Sequence, residues 1–194
     1  MNSSLIYLIV FLLYMAKLKE GIGKKILKRK KKGIIRNKQV HNFETAKSAV
    51  ILFDSSNPES FKVIKEFRKF LEGQEIKCSV YGYVNQKEIP QELLFWKNYA
   101  FITRKDLNWY MKPSGEAVEA FHAAEPDLLF DFNLDLSLGI QFLVQLSIAQ
   151  MKIGCFTEEE NDYDLMISLS ENRELAFLAE QFKIYIAMLT PILE

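Results

Sequence analysis

Apolar residues along this chain fall into short unbroken runs, separated by stretches in which they recur every three or four positions. The run AVILF at 49–53 has no polar alternation, as a strand buried on both faces of a sheet requires. Runs of similar texture at 76–84, 99–103, 128–132, 152–156 and 164–169 predict further strands. Helical spacing fills the gaps. Residues 59–72 place Phe61, Ile64, Phe67 or Arg68, and Leu71 on one stripe, with Asn57 as N-cap, Pro58 in the first turn and Gly73 as the stop. Short helices are expected at 90–98 and 116–124. Stronger ones are expected at 137–150, with Ile140, Leu143 or Val144, Leu146 or Ser147, and Ile148 inward, and at 173–189. In the last helix Leu175, Leu178, Phe182, Tyr185 or Ile186, and Leu189 share a face. Strands alternating with helices predict an α/β domain: a single open, mostly parallel, Rossmann-like sheet flanked by helices. The pattern leaves strand order open.

The first 45 residues read differently. Residues 5–16 (LIYLIVFLLYMA) are apolar throughout and would span about 18 Å as a helix, against about 30 Å of bilayer hydrocarbon. No Lys or Arg precedes them and no small-residue cleavage site follows, so a secretory signal is not indicated. They are either a short anchor or an over-extended start, since Met15 opens a sensible beginning of its own. Residues 17–36 read as a basic amphipathic helix. Leu18, Ile22 and Ile26 repeat every four residues with Leu27 beside them, and Lys24, Lys25, Lys28, Arg29, Lys30, Lys31 and Lys32 supply the cations. Three units follow: a hydrophobic segment at 1–16, a basic helix and linker at 17–45, and the α/β domain at 46–194.

Charge sharpens this division. The chain has 25 basic and 25 acidic residues among 194, yet eleven of the basic ones lie within 17–38, opposed there only by Glu20. The neutral total is a cancellation between a basic arm and an acidic globule.

In open α/β sheets ligands bind beyond the carboxyl ends of the strands. Three clusters follow predicted strands at that rim. Asp54 and Asn57 follow the first. Asp106, Asn108, Trp109 and Lys112 follow the third. Asp131 and Asn133 close the fourth, with Asp135 next. Trp109 is either a stacking platform for a ligand or a lid on the core, with Asp106 and Asn108 making turn hydrogen bonds. Asp54 suits a metal or a ribose hydroxyl, and equally a helix-entry turn. Phosphate at Asn57 is disfavoured, because no glycine lets it approach and Pro58 lacks a donor. A carboxylate such as Asp131 at the end of a buried strand needs a partner or a shifted pKa.

No catalytic constellation emerges. His41 lies in the linker and His122 on a short helix, and neither is tied by spacing to a Ser or Cys. The string GIGKK at 21–25 lacks the first glycine and the hydroxyl residue of a phosphate loop. The acidic stretch with Glu158, Glu159, Glu160, Asp162 and Asp164 lacks the glycine and final glutamate of a calcium loop, so a solvated connection is expected. Cys78 and Cys155 read as free thiols of a reducing compartment. No cofactor and no metal is called for.

Several blocks carry a resemblance: AKSAVILFD at 46–54, YGYV at 81–84, DLNWYMKP at 106–113, PDLLFDFN at 126–133, LSIAQMKIG at 146–154 and YDLMI at 163–167. Together they resemble a family of small bacterial proteins known only as a domain of unknown function. The likeness runs over residues 17–190, and its members begin near the position of Met15. It implies no activity. A weaker likeness links Asp127 to Asp131, the helix after them and Lys152 to Gly154 with the first Rossmann-like half of heptosyltransferase-type glycosyltransferases. Those enzymes need a second such domain, for which this chain has no room.

The arm and the missing catalytic set point to a non-enzymatic α/β binding or adaptor protein. Its expected partner is an anionic membrane surface, and its expected place is the cytoplasm, peripheral to or anchored in the inner membrane. RNA or the ribosome would meet the same cations and is the first alternative. A small ligand- or nucleotide-binding enzyme using the strand-end rim is the second.

Overall fold

The computed structural model describes residues 3–96, 98–169 and 172–191. Six strands form among them: β1 (Ser48–Asp54), β2 (Lys77–Val84), β3 (Tyr99–Thr103), β4 (Leu128–Asp131), β5 (Met151–Cys155) and β6 (Leu165–Ile167). They pair in the order β3-β2-β1-β4-β5-β6, and every pairing is parallel. This is the doubly wound Rossmann order, whose direction of winding reverses between β1 and β4.

The helices are α1 (Ser3–Lys31), α2 (Pro58–Gly73), α3 (Glu116–Ala123), α4 (Leu138–Leu146) and α5 (Leu175–Met188). Asn57 caps α2 by accepting the Glu59 amide, as its sequence signature predicts. Two expectations change. The helix expected at 90–98 is a single 3-10 turn, Gln91–Phe95. The helix expected to reach Gln150 stops at Leu146, because Ser147 turns extended and Gln150 bonds the Pro126 carbonyl on the way into β5.

Aromatic packing dominates the side of the sheet under α2 and α5. There Phe67 meets Phe130 and Phe132 edge-on, each at 5.0 Å. Under α3 and α4, Leu52, Leu129, Phe121 and Leu143 form the second layer. Every residue of α4 is buried. Its sequence, LGIQFLVQL, carries no charge, and a helix apolar all round needs cover on its outer face as well.

That cover is α1. Leu27 packs on Leu138, Phe142 and Leu146 to make a third layer. The contact is close at Gly23, where an added Cβ would lie 2.5 Å from both the Leu138 side chain and the Tyr110 carbonyl oxygen. A single helix therefore runs unbroken through residues 16 and 17 and docks its C-terminal half on the body. It ends at Lys31 rather than near Arg36. The linker then follows the body, and His41 Nε2 bonds Gln150 Oε1 at 2.8 Å. Among the described residues no helix is long and apolar enough to cross a membrane.

Candidate functional site

The three rim clusters do not converge on one pocket. Asp54, Asn57 and Asn133 line a cleft of about 460 Å³ at the carboxyl ends of β1 and β4, where the winding reverses. Asp135, Arg173 and Glu174 complete its wall, and Val63, Phe132, Leu134 and Leu175 give it an apolar side. Two polar residues in it are buried: Ser60 is 2% exposed and Asn133 is 4% exposed. Asp54 accepts the Ser56 amide at 2.8 Å, so it also shapes the turn into α2. With the carboxylates of Asp54, Glu59, Asp135 and Glu174 against the one guanidinium of Arg173, the cleft disfavours phosphate.

Asp106, Asn108, Trp109 and Lys112 lie elsewhere. Asp106 accepts both the amide and the hydroxyl of Thr103, at 2.7 and 2.9 Å. Asn108 Oδ1 accepts the amides of Tyr110 and Lys112 at 3.1 and 3.0 Å, and Met111 takes a positive φ of 69°. These bonds fold the loop so that Tyr110 and Met111 face α1 and join its packing layer. Trp109 is 59% exposed and meets Tyr110 edge-on at 5.2 Å. The loop therefore seats the N-terminal helix, while Trp109 projects outward.

Asp131 is fully buried and turns away from the cleft. Its Oδ2 accepts the Tyr163 hydroxyl at 2.5 Å, and its Oδ1 accepts the Asn133 amide at 2.9 Å and the Asn133 side-chain amide. Burial pushes its pKa up to about 6, against the pull of those donors. The Tyr163 ring lies over Gly154, where a Cβ would sit 2.6 Å from it. Burial and the neighbouring carboxylate hold the Tyr163 hydroxyl well above its ordinary pKa.

Beside this pair a charged layer joins the arm to the globule. Lys152 lies inside β5 with 0% exposure, and its Nζ donates to Asp162 at 2.7 Å. Burial lowers its pKa to about 8, although Asp162 opposes the shift. Arg36 donates to Asp162 at 3.4 Å and to Asp164 at 2.5 Å, and Lys31 stands 3.4 Å from Asp162. Further along α1, Lys24 and Lys28 lie 3.7 Å from Glu159 and Glu160. Gln141 and Gln145 of α4 hold the acidic loop in place, donating to Glu159 and to the Glu160 carbonyl. The acidic stretch clasps the arm through Asp162 and Asp164, while Glu158, Glu159 and Glu160 stay exposed, as a solvated connection would. Lys25, Arg29, Lys30 and Lys32 are exposed and form no ion pair among the described residues.

A family model described as a family of unknown function, DUF6913, matches residues 19–189. The chain belongs to that family. The match takes in both the docked half of α1 and the loop that seats it. Comparison with the curated proteins and with the solved structures finds no match. Among the described residues no three His, Cys, Asp or Glu side chains cluster closely enough to hold a metal ion. Cys78 and Cys155 are free and half-buried, and burial pushes the Cys78 thiol up to about 12, so it is a poor nucleophile.

Sequence reasoning missed the charged layer of this DUF6913 chain. A signal was present. Lys152 stands in an apolar strand run, and a buried ammonium demands a carboxylate. Arg173 and Glu174 were hidden for another reason: only the strand order brings the start of α5 beside β1 and β4.

Proposed function

We propose that this chain is an α/β binding or adaptor domain held at the cytoplasmic face of an anionic membrane by α1. The observation that carries this reading is the division of the helix into two cationic rows. Lys25, Arg29 and Lys32 recur at helical spacing on the side away from the body. Leu18 extends the same row, seven residues before Lys25, and is exposed. The turns before it expose Val10, Phe11, Leu13 and Tyr14, which nothing in the described chain covers. Cations beside exposed apolar and aromatic side chains suit the interfacial zone of a bilayer, where the rings enter the headgroup region and the ammonium groups meet lipid phosphates. RNA would be satisfied by the cations alone and would leave the apolar residues in water.

Flotation of the full chain with vesicles tests the reading. Vesicles with phosphatidylglycerol should carry the protein up, and vesicles of phosphatidylcholine alone should carry much less. Failure to float with either, or salt-sensitive comigration with ribosomes in place of flotation, would overturn it.

A further inference from the structure

A second cavity, of about 390 Å³, lies beside the edge strand β3, between α2 and the segment that enters β3, and shares no residue with the cleft. Its α2 side carries Lys65, Arg68 and Lys69 against one carboxylate, Glu72. Arg68 meets Glu72 through Nε at 2.8 Å, and neither lysine forms an ion pair among the described residues. The other side is aromatic. Trp96 and Tyr99 meet edge-on at 5.0 Å, and Phe95 is 83% exposed. Two of the cations face rings: Lys65 Nζ stands 6.0 Å from the centre of the Trp96 ring, and Arg68 Cζ stands 5.8 Å from that of Tyr99. Apart from its charge, the cavity holds an unsatisfied donor. The Tyr99 hydroxyl is buried and has no hydrogen-bond partner among the described residues. A buried polar group without a partner carries a standing cost, which an arriving partner removes. Burial holds this hydroxyl above its ordinary pKa, so it keeps its proton.

These features select a ligand. Lys65, Lys69 and the Tyr99 hydroxyl are all donors, so the ligand must bring acceptors and negative charge. Lys65, Arg68 and Lys69 against Glu72 alone leave two positive charges over. A phosphate monoester, with roughly two negative charges at neutral pH, balances them, and a single carboxylate does not. Lys65 and Lys69 are one helical turn apart, so both can reach one phosphate. The aromatic side suits a flat ring, because Phe95 and the half-buried Trp96 give a base something to stack on. The volume lies in the range of small-molecule sites. We propose that this cavity binds a nucleoside monophosphate, with its phosphate on Lys65 and Lys69, its base against Phe95 and Trp96, and an acceptor oxygen on the Tyr99 hydroxyl. The site is independent of α1.

The chain has two tryptophans, so Trp109→Phe leaves Trp96 alone to report on the cavity by fluorescence. Trp109 is exposed, and phenylalanine keeps a ring in its place. In that background, titration of the full chain with AMP and with UMP, excited at the red edge of tryptophan absorption, should change the Trp96 emission saturably. Adenosine and inorganic phosphate each lack half of the ligand, and should displace AMP only at concentrations at least about tenfold higher, the equivalent of about 1.4 kcal/mol. Lys65→Gln and Lys69→Gln should each weaken AMP about twofold to fivefold, the worth of a partly exposed ion pair. Tyr99→Phe should weaken AMP while leaving thermal stability unchanged or raised, because the hydroxyl it removes has no partner in the free chain. The inference fails if neither nucleotide gives a saturable change, or if adenosine or inorganic phosphate displaces AMP at matching concentration. It fails equally if the two lysine variants, or Tyr99→Phe, leave the affinity for AMP unchanged.

Discussion

Lys24, Lys28 and Lys31 line one flank of α1, and Lys25, Arg29 and Lys32 repeat the same spacing one position later. The first three lie within 3.7 Å of Glu159, Glu160 and Asp162. The second three meet no carboxylate among the described residues. The two rows carry the same kind of charge, and what separates them is what lies opposite. Gln141 and Gln145 of α4 fix the acidic loop against the inner row. A run of lysines is therefore not one surface, because the helix divides it by angle. The inner row is half of an internal contact, and the chain's neutral total is partly the record of that contact.

The deep end of the contact should be the easiest to break. Asp162→Ala strands the buried ammonium of Lys152, and loss of one partner from a buried pair costs about 3–5 kcal/mol. Urea unfolding should show that drop, whereas Lys152→Met, which removes the buried charge, should stay close to wild type. The pH dependence has a definite sign. Burial would raise the Asp162 pKa, but Lys152, Lys31 and Arg36 outweigh it and hold the carboxyl below its ordinary value. Its contribution is present above the unfolded carboxyl range and fades as pH falls through the lowered folded value.

The opposite sign belongs to Asp131, which anchors the same loop through Tyr163. Its pKa, raised to about 6, means that the folded state keeps a proton the unfolded chain has lost. Between the ordinary carboxyl value of 3.8 and about 6, stability falls as pH rises. A shift of this size is worth on the order of 3 kcal/mol. Asp131→Asn should flatten that part of the profile in thermal melts across pH 4 to 7.5. An unchanged slope would mean that another group sets it.

Gly23 tests the packing beneath both rows. A methyl group there meets Leu138 and the Tyr110 carbonyl, so Gly23→Ala should cost about 1–3 kcal/mol as overpacking, reduced by the helix propensity of alanine. Proteolysis of the linker at 32–40 should accelerate as the helix lifts. Replacing Lys25, Arg29 and Lys32 together by Gln should change stability by no more than about 0.5 kcal/mol, as exposed substitutions do.

Much of this architecture was legible in local pattern. Unalternating apolar runs gave away strands buried on both faces, and Asn57 with Pro58 marked the start of α2. The cover that α1 gives to α4 was not read, because only one stripe of that helix was expected to face inward. Long-range pairing was not legible. The imbalance between arm and globule was visible, but nothing local joined Lys31 and Arg36 to Asp162, well over a hundred residues away. Asp106 and Asn108 resembled ligand groups because the same short polar side chains fold tight loops, and the loop's task depends on a helix far earlier in the chain. The cleft was half legible: Asp54, Asn57 and Asn133 stood at strand ends, while Arg173 and Glu174 reach it only through the strand order.

The central claim is that the outer row binds an anionic surface, while the inner row, engaged with the acidic loop, adds little to that binding. Partition onto phosphatidylglycerol vesicles at physiological salt should be measured for two variants of equal net charge. One replaces Lys25, Arg29 and Lys32 by Gln, and the other replaces Lys24, Lys28 and Lys31 by Gln. Each basic residue near such a surface contributes about 1 kcal/mol. The account predicts that the outer variant loses at least about tenfold more affinity than the inner one. Equal losses would contradict it, since net charge and not placement on the helix would then govern binding.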